Sequence, residues 1–380
     1  MIAIISREAI ASKLRSGPTV KHTELVNLQG DSSIAALLVG VERIGVDTEF
    51  MREKTFFAEL CLVQLAIGDR LVCADPLGAT DLAGFWSAFT KCEWVVHSGR
   101  QDMEVIYQAA GCLPRQVFDT QIAAALLGYT PQVGYAGLVA ELFGIELAKS
   151  HTRADWSQRP LSAEVLHYAA EDVEYLLPAY ENLNERLDKL GRRTWAIQDS
   201  MELLDRTLYE VDPEQAIDRV KGSRNMRGTA RAVAARLAAW RENEAVRRNR
   251  PRQWILRDAA LLEIAQTRPT SRRALAAIPG VAESTVARAA AEWLDIIADG
   301  KNALGDYEPP PRPDEQQKSV LKRMLDLVAA RAAELGMSAE IVAPRKELVS
   351  ALEGSRDSRV FRGWRRDLVG NELMAILGDG

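Results

Sequence analysis

Asp47 and Glu49 stand one residue apart in the run Arg43-Ile44-Gly45-Val46-Asp47-Thr48-Glu49-Phe50. In a β-strand successive side chains alternate faces, so the two carboxylates project together from one side while Ile44, Val46 and Thr48 point to the other. Like charges this close raise each other's pKa unless a cation lies between them, and the pair therefore calls for a divalent metal. Asp102 follows the apolar run Trp94-Val95-Val96-His97 and the turn Ser98-Gly99-Arg100-Gln101, which puts it in the first turn of a helix leaving the sheet. By itself such an Asp has a second reading, a helix-start residue favoured by the dipole. Tyr168 and Asp172 are four apart and share one helix face beside Val165, Ala169, Val173 and Leu176. An amphipathic helix with a half-buried Tyr and a surface Asp would have the same pattern.

These side chains need a sheet and its helices to hold them. Residues 41–49, 59–67, 71–74, 94–97 and 116–118 read as strands, and the Gly68-Asp69 step predicts a hairpin, so part of the sheet is antiparallel. Helical patterns cover residues 81–89, 102–110 and 120–127. From Ser162, an N-cap with Glu164 in the first turn behind it, the β signal ends, and the helix it opens is expected to be interrupted at Pro178. Beyond Trp195 the chain reads as short amphipathic helices. A Pro-rich spacer at residues 301–314 divides them, because it cannot continue a helix. The expected domains are 1–200, mixed α/β, then 203–300 and 315–380, both helical, with only a weak repeat between the last two.

The chain has 380 residues, 47% hydrophobic and 27% charged, with a net charge of -5, which excludes a uniformly basic nucleic-acid binder. The average hides a basic run. Between Arg219 and Arg257 twelve Arg or Lys face two acids, Glu242 and Glu244, an excess of ten positive charges that reads as a footprint for phosphates or as a solvated helix face. Arg224, Arg227, Arg231, Arg247, Arg248, Arg250 and Arg252 are its candidate nucleic-acid contacts. Trp240 and Trp254 lie within the run and read first as core, with base stacking as the alternative. Ile278-Pro279-Gly280-Val281 reads first as a tight helix–helix connection, with a hairpin against a nucleic-acid backbone as the alternative. His97, His151 and His167 lie near the motifs and are expected to be structural.

Cys61, Cys73, Cys92 and Cys112 form no CxxC pair and read as reduced thiols. The N-terminus lacks a signal-peptide apolar core, and no run approaches the roughly 18 apolar residues of a membrane span. A cytoplasmic protein without a membrane partner is expected. No heptad seam demands an oligomer, so a monomer is expected as well. No GxGxxG or P-loop follows any of the strands, which disfavours a dinucleotide-binding enzyme.

Taken in order, Asp47-Thr48-Glu49-Phe50, His97-Ser98-Gly99-Arg100-Gln101-Asp102 and Tyr168-Ala169-Ala170-Glu171-Asp172-Val173 strongly resemble the three motifs of the DEDD superfamily of 3′–5′ exonucleases, in the subgroup with Tyr in the last motif. Phe118-Asp119-Thr120-Gln121 and the stretch from Thr152 to Leu161 narrow the resemblance to the ribonuclease D family. The resemblance implies an α/β, ribonuclease H-like exonuclease domain, a mixed sheet flanked by helices, followed by two all-α HRDC domains. The last of these matches least well, at Ile341–Leu348 and Gly363-Trp364-Arg365.

It further implies hydrolysis of RNA from the 3′ end to nucleoside 5′-monophosphates, with tRNA precursors among the substrates. Two divalent ions about 3.5 to 4 Å apart would serve the attacking and leaving oxygens. Hard oxygen ligands suit Mg²⁺ or Mn²⁺. By resemblance Asp47 would bridge both ions, Glu49 and Asp172 would complete the site of the attacking water, and Asp102 would support the second ion. Tyr168 would hold the water in line, since its ordinary pKa near 10 makes it a poor base. A DNA-directed exonuclease and a catalytically dead nucleic-acid scaffold are the competing readings. The four acids and the Tyr, all present, weigh against the scaffold.

Overall fold

Six strands, β1 (Thr23–Asn27), β2 (Arg43–Met51), β3 (Glu59–Ile67), β4 (Arg70–Asp75), β5 (Glu93–Val96) and β6 (Gln116–Asp119), form one sheet in the order β1-β4-β3-β2-β5-β6. The computed structural model describes residues 23–28, 33–147, 154–302 and 314–378. β3 and β4 form the antiparallel hairpin expected at Gly68-Asp69, while β1 runs parallel to β4, and β2, β5 and β6 are parallel to one another. The mixed sheet thus agrees with the expectation. β1 had no counterpart in the sequence reading. It is a short edge strand in which Val26 is buried while Glu24 and Leu25 face solvent, too few positions for alternation to show.

Among the described residues eight helices accompany the sheet: α1 (Ser33–Leu37), α2 (Ala83–Phe89), α3 (Arg100–Ala110), α4 (Thr120–Leu126), α5 (Tyr135–Phe143), α6 (Ala163–Glu174), α7 (Leu176–Lys189) and α8 (Arg193–Met201). Ser162 caps α6, its side chain accepting from the Val165 N–H. The break comes at Tyr175, not at Pro178, which lies inside the first turn of α7. A first-turn residue has no intrahelical acceptor for its N–H, so a proline there costs no hydrogen bond. Gly45 explains how this junction reaches β2. A side chain there would meet the Cβ atoms of Ala66 at 3.0 Å and Leu176 at 3.1 Å, and its absence lets the start of α7 lie on the strand.

The described residues divide into two compact units, one containing β2 up to Met51, Leu60–Leu208 and the chain from 314 onward, the other containing Arg52–Glu59 and the chain from Tyr209 to residue 302. The second unit is helical: α9 (Gly228–Arg248), α10 (Arg252–Ile255), α11 (Asp258–Thr267), α12 (Arg272–Ala276) and α13 (Glu283–Asn302) surround a core with Trp293 and Leu237 fully buried. Phe56 joins Ala245 and Ile255 in a smaller cluster, and the N–H groups of Phe56 and Phe57 both donate to Asn249 Oδ1 at 3.0 Å. The segment following β2 is therefore built into the helical unit.

The last helices, α14 (Glu315–Leu335), α15 (Ala339–Val342), α16 (Arg345–Leu352), α17 (Gly363–Arg365) and α18 (Asn371–Gly378), share one core with the sheet unit. The segment Glu315–Gly378 is held to this core by contacts no local pattern reveals. Arg365 forks onto Asp199 at 2.6 and 2.7 Å in a buried pair, and Trp364 stacks on Trp195 with centroids 4.4 Å apart. Residues 303–313, which hold most of the Pro-rich spacer, lie outside the described residues, as do His151, Thr152 and Arg153. The four cysteines are free thiols, and among the described residues no helix is long and apolar enough to cross a membrane.

Candidate active site and metal centre

Asp47 and Glu49 leave β2 on the face that receives α6 and α7, and Asp172 meets them from the last turn of α6. One carboxylate oxygen from each of the three lies within 4.8 Å of the others. Asp102 is not part of this triangle but belongs to the same electrostatic group. It sits buried in the first turn of α3, accepts a 2.6 Å hydrogen bond from the Thr48 hydroxyl, and its charge acts on both Asp47 and Glu49.

Burial and mutual repulsion set the ionisation of the group. Burial pushes Asp47 well above the usual carboxylate range, and the charges of Asp102, Asp172 and Glu49 add to it. Glu49 is pushed up to about 8 by burial and then by Asp172 and Asp102. Asp172 is raised to about 7, by burial and the charge of Glu171. Asp102 rises only to about 6, because the Thr48 hydroxyl offsets part of the cost of burial. Four acids that resist ionisation together are what a cation site requires, since the ion's charge reverses the repulsion. The donors are hard carboxylate oxygens with no thiolate or imidazole among the clustered ligands, a set that fits a divalent cation of the magnesium type.

Tyr168 stands one helical turn before Asp172 and half-buried, its ring centroid 6.4 Å from that of Trp156. Burial, followed by the charges of Asp172, Glu49, Asp47 and Glu171, holds its hydroxyl protonated well beyond the ordinary range. Trp156 is fixed by its own segment. Arg159 forks onto Asp75 at 2.6 and 2.7 Å and donates to the Trp156 and Cys61 carbonyls, so the stretch ending at Leu161 supports the wall behind Tyr168.

Three positioning residues escaped the sequence reading of the site. Thr48 was assigned to the face away from the carboxylates, yet its hydroxyl holds Asp102. Asp119, quoted only as part of a motif, is buried and accepts from the N–H groups of Ser98, Gly99 and Gln121 at 2.8 to 3.0 Å, fixing the turn that opens α3. Gly99 packs so closely on Val96 that a Cβ would lie 2.4 Å from Cγ2. Tyr135 Oη accepts from the Tyr175 N–H at 2.9 Å and pins the junction after Asp172. The sequence signal for Asp119 was its place at a strand end before a helix; Thr48 and Tyr135 gave none. His97 contacts Thr120 Oγ1 and the Val133 carbonyl, each at 2.9 Å, and His167 lies near Glu171.

The basic run lies in the helical unit, where much of its charge is internally compensated. Buried Glu242 takes Arg219 at 3.1 Å and Arg252 at 2.5 Å, buried Arg241 pairs with Asp258, and Glu244 takes Arg247 and Arg248. Arg231 is itself buried, donating to the Ser223 carbonyl and Asp218, which removes it from the candidate phosphate contacts. Among the described residues Lys221, Arg224, Arg227, Arg250 and Arg257 form no ion pair. Trp240 is half-buried against the core and donates to Glu292, whereas Trp254 is exposed.

Comparison with known proteins follows the same division. A 3′–5′ exonuclease family model matches residues 28–188 and an HRDC domain model matches residues 230–297. Ribonuclease D of Gluconacetobacter diazotrophicus is 40% identical over 349 residues, covering 88% of this chain and 87% of that protein. Ribonuclease D of Acidiphilium cryptum is 36% identical, covering 95% of each. The crystal structure of Escherichia coli RNase D, described as an exoribonuclease involved in structured RNA processing, superposes with a TM-score of 0.83 at 28% identity, covering 94% of this chain and 99% of that one.

Proposed function

The chain belongs to the ribonuclease D family of 3′–5′ exoribonucleases, and from that premise we propose that Asp47, Glu49, Asp102, Tyr168 and Asp172 hydrolyse the terminal phosphodiester of RNA, releasing nucleoside 5′-monophosphates. The observation that carries the assignment of residues is the triangle of Asp47, Glu49 and Asp172 oxygens within 4.8 Å. Asp47, Glu49 and Asp172 would hold the divalent cations, with Asp102, steadied by Thr48, completing the set. When bound, a pair of divalent cations, Mg²⁺ or Mn²⁺, would supply positive charge at the attacking and leaving oxygens. Tyr168, one helical turn before Asp172, orients the attacking water by hydrogen bonding, since a phenol with an ordinary pKa near 10 is a poor base at neutral pH.

The chain is of the Tyr subgroup; its domains run 1–200, 203–300 and 315–380, the second and third both of the HRDC kind; it acts as a cytoplasmic monomer; and tRNA precursors are among its substrates. Phosphate contacts fall to Arg224, Arg227, Arg247, Arg248 and Arg250, with Arg252 held by Glu242. The deciding experiment uses a 5′-labelled tRNA with a 3′ extension, with and without Mg²⁺, and matched ribo and deoxy oligomers. Metal-dependent shortening of RNA by the wild type, lost in Asp47→Asn while RNA binding in chelator persists, is the expected outcome. Full activity of Asp47→Asn would remove the assignment of residues, and equal degradation of the deoxy oligomer would favour a general exonuclease.

A further inference from the structure

We propose that the groove beside Trp254 in the helical unit is a stacking site for an unpaired nucleotide of single-stranded RNA, a reading that rests on the ribonuclease assignment and deepens it. Trp254 is 60% exposed and is the sole aromatic among the exposed large hydrophobic side chains of the described residues. Leaving an indole in water gains nothing for the fold, and helical tryptophans elsewhere in this unit behave otherwise: Trp293 is fully buried and Trp240 packs edge-on against it. Trp254 borders a groove of about 680 Å³, large enough for a nucleotide, which Gly280, Val281 and Thr285 also line.

The charge beside the indole selects the occupant. The Arg250 guanidinium lies 5.9 Å from the Trp254 ring centroid, and Arg257 lines the groove. Neither is used in an ion pair among the described residues, and Asp258, the acid next to Arg257, is already engaged by Arg241 at 2.6 Å and by the Lys221 N–H. The Ile278-Pro279-Gly280-Val281 turn, with Gly280 at a φ of +82°, adds Gly280 and Val281 to the lining and delivers the chain to the start of α13, a helix of 20 residues. The Thr285 N–H is taken by the Ala282 carbonyl at 2.9 Å, which leaves the amides of Glu283 and Ser284 to present partial positive charge at the helix start. An exposed aromatic face with guanidinium groups beside it suits a base and its phosphates, because every base offers a π-face and every nucleotide an anion. An acidic or apolar peptide would use only half of these features.

The test measures affinity of the full-length protein in chelator, by fluorescence anisotropy, for a 5′-labelled single-stranded oligoadenylate and for the same oligomer with abasic sites. Trp254→Ala is expected to weaken binding of the intact oligomer about 5- to 100-fold, the scale of one lost base stack, and Trp254→Phe to recover most of it. Wild type is expected to lose a similar factor on the abasic oligomer, where the Ala variant is indifferent. Equal affinities of wild type and Trp254→Ala for both oligomers would overturn the proposal, as would displacement of the oligomer by AMP at equal nucleotide concentration, which would make the groove a free-nucleotide site. Failure of the wild type to shorten any RNA with Mg²⁺ present would instead remove the ribonuclease reading, leaving the affinity comparison to stand by itself.

Discussion

Replacing Glu49 by Gln should make the metal-free protein more stable at pH 8 while ending its hydrolysis. The folded state pushes the Glu49 carboxyl from 4.5 up to about 8. A carboxyl raised by folding binds its proton more readily in the native than in the unfolded state, so stability is fully present below about 4.5 and is lost as pH rises toward about 8. At pH 8 the ionisation that the unfolded chain allows freely costs the native state roughly 4 kcal/mol. Relaxation of neighbouring acids lowers the measurable part to about 2 to 4 kcal/mol. Glutamine keeps the shape and carries no charge.

The assay is urea unfolding of wild type and Glu49→Gln in chelator at pH 5 and pH 8, repeated with Mg²⁺. Wild type should lose stability between the two pH values, the variant should lose less, and the variant should be the more stable protein at pH 8. Mg²⁺ should stabilise wild type more than the variant, because a ligand that binds only the native state adds RT ln(1 + [L]/Kd). A variant less stable than wild type at pH 8 without metal would refute the claim that repulsion, relieved by a cation, governs this site.

Tyr168→Phe should lower kcat on the order of 10²-fold with KM little changed, the scale of removing a positioned hydroxyl, and single-turnover kinetics would detect it. Thr48→Val removes the 2.6 Å hydrogen bond to Asp102 and should cost about 10- to 100-fold in Mg²⁺ affinity or rate, with Thr48→Ser restoring most of it in a Mg²⁺ titration of activity.

The clustered acids were legible because their pattern is written in short segments: two carboxylates at strand spacing and a Tyr and an Asp at helix spacing bring the groups to shared faces before any tertiary contact is known. Their convergence was not legible, since it depends on Gly45 admitting Leu176 and on Thr48 reaching Asp102, contacts between residues distant in the chain. The compensation within the basic run was hidden for the same reason. A charge count along the sequence does not see that Arg231 and Arg241 pair with Asp218 and Asp258, one residue beyond either end of the run, or that buried Glu242 takes two arginines. Pro178 was read by its usual effect, yet one position within a first turn cancels it.

Asp119 shows how the fold places Asp102 without touching it. Its side chain accepts three backbone N–H bonds at 2.8 to 3.0 Å, two from the turn before α3 and one from the first turn of α4, and its own N–H donates to Ser200 Oγ. The turn needs this anchor, because Ser98 holds a φ of +57°, a conformation that a side chain disfavours, and Gly99 is pressed against Val96. Asp119→Asn would set an amide N–H₂ against backbone donors and leave at least one of them unsatisfied, at about 1 to 3 kcal/mol. The expected result is a loss of that size in urea unfolding together with a fall in kcat that exceeds any change in KM, because α3 would start from a displaced turn and carry Asp102 with it. Unchanged kcat in a variant destabilised by that amount would show that Asp119 serves the core alone and that Asp102 is placed by Thr48 without help.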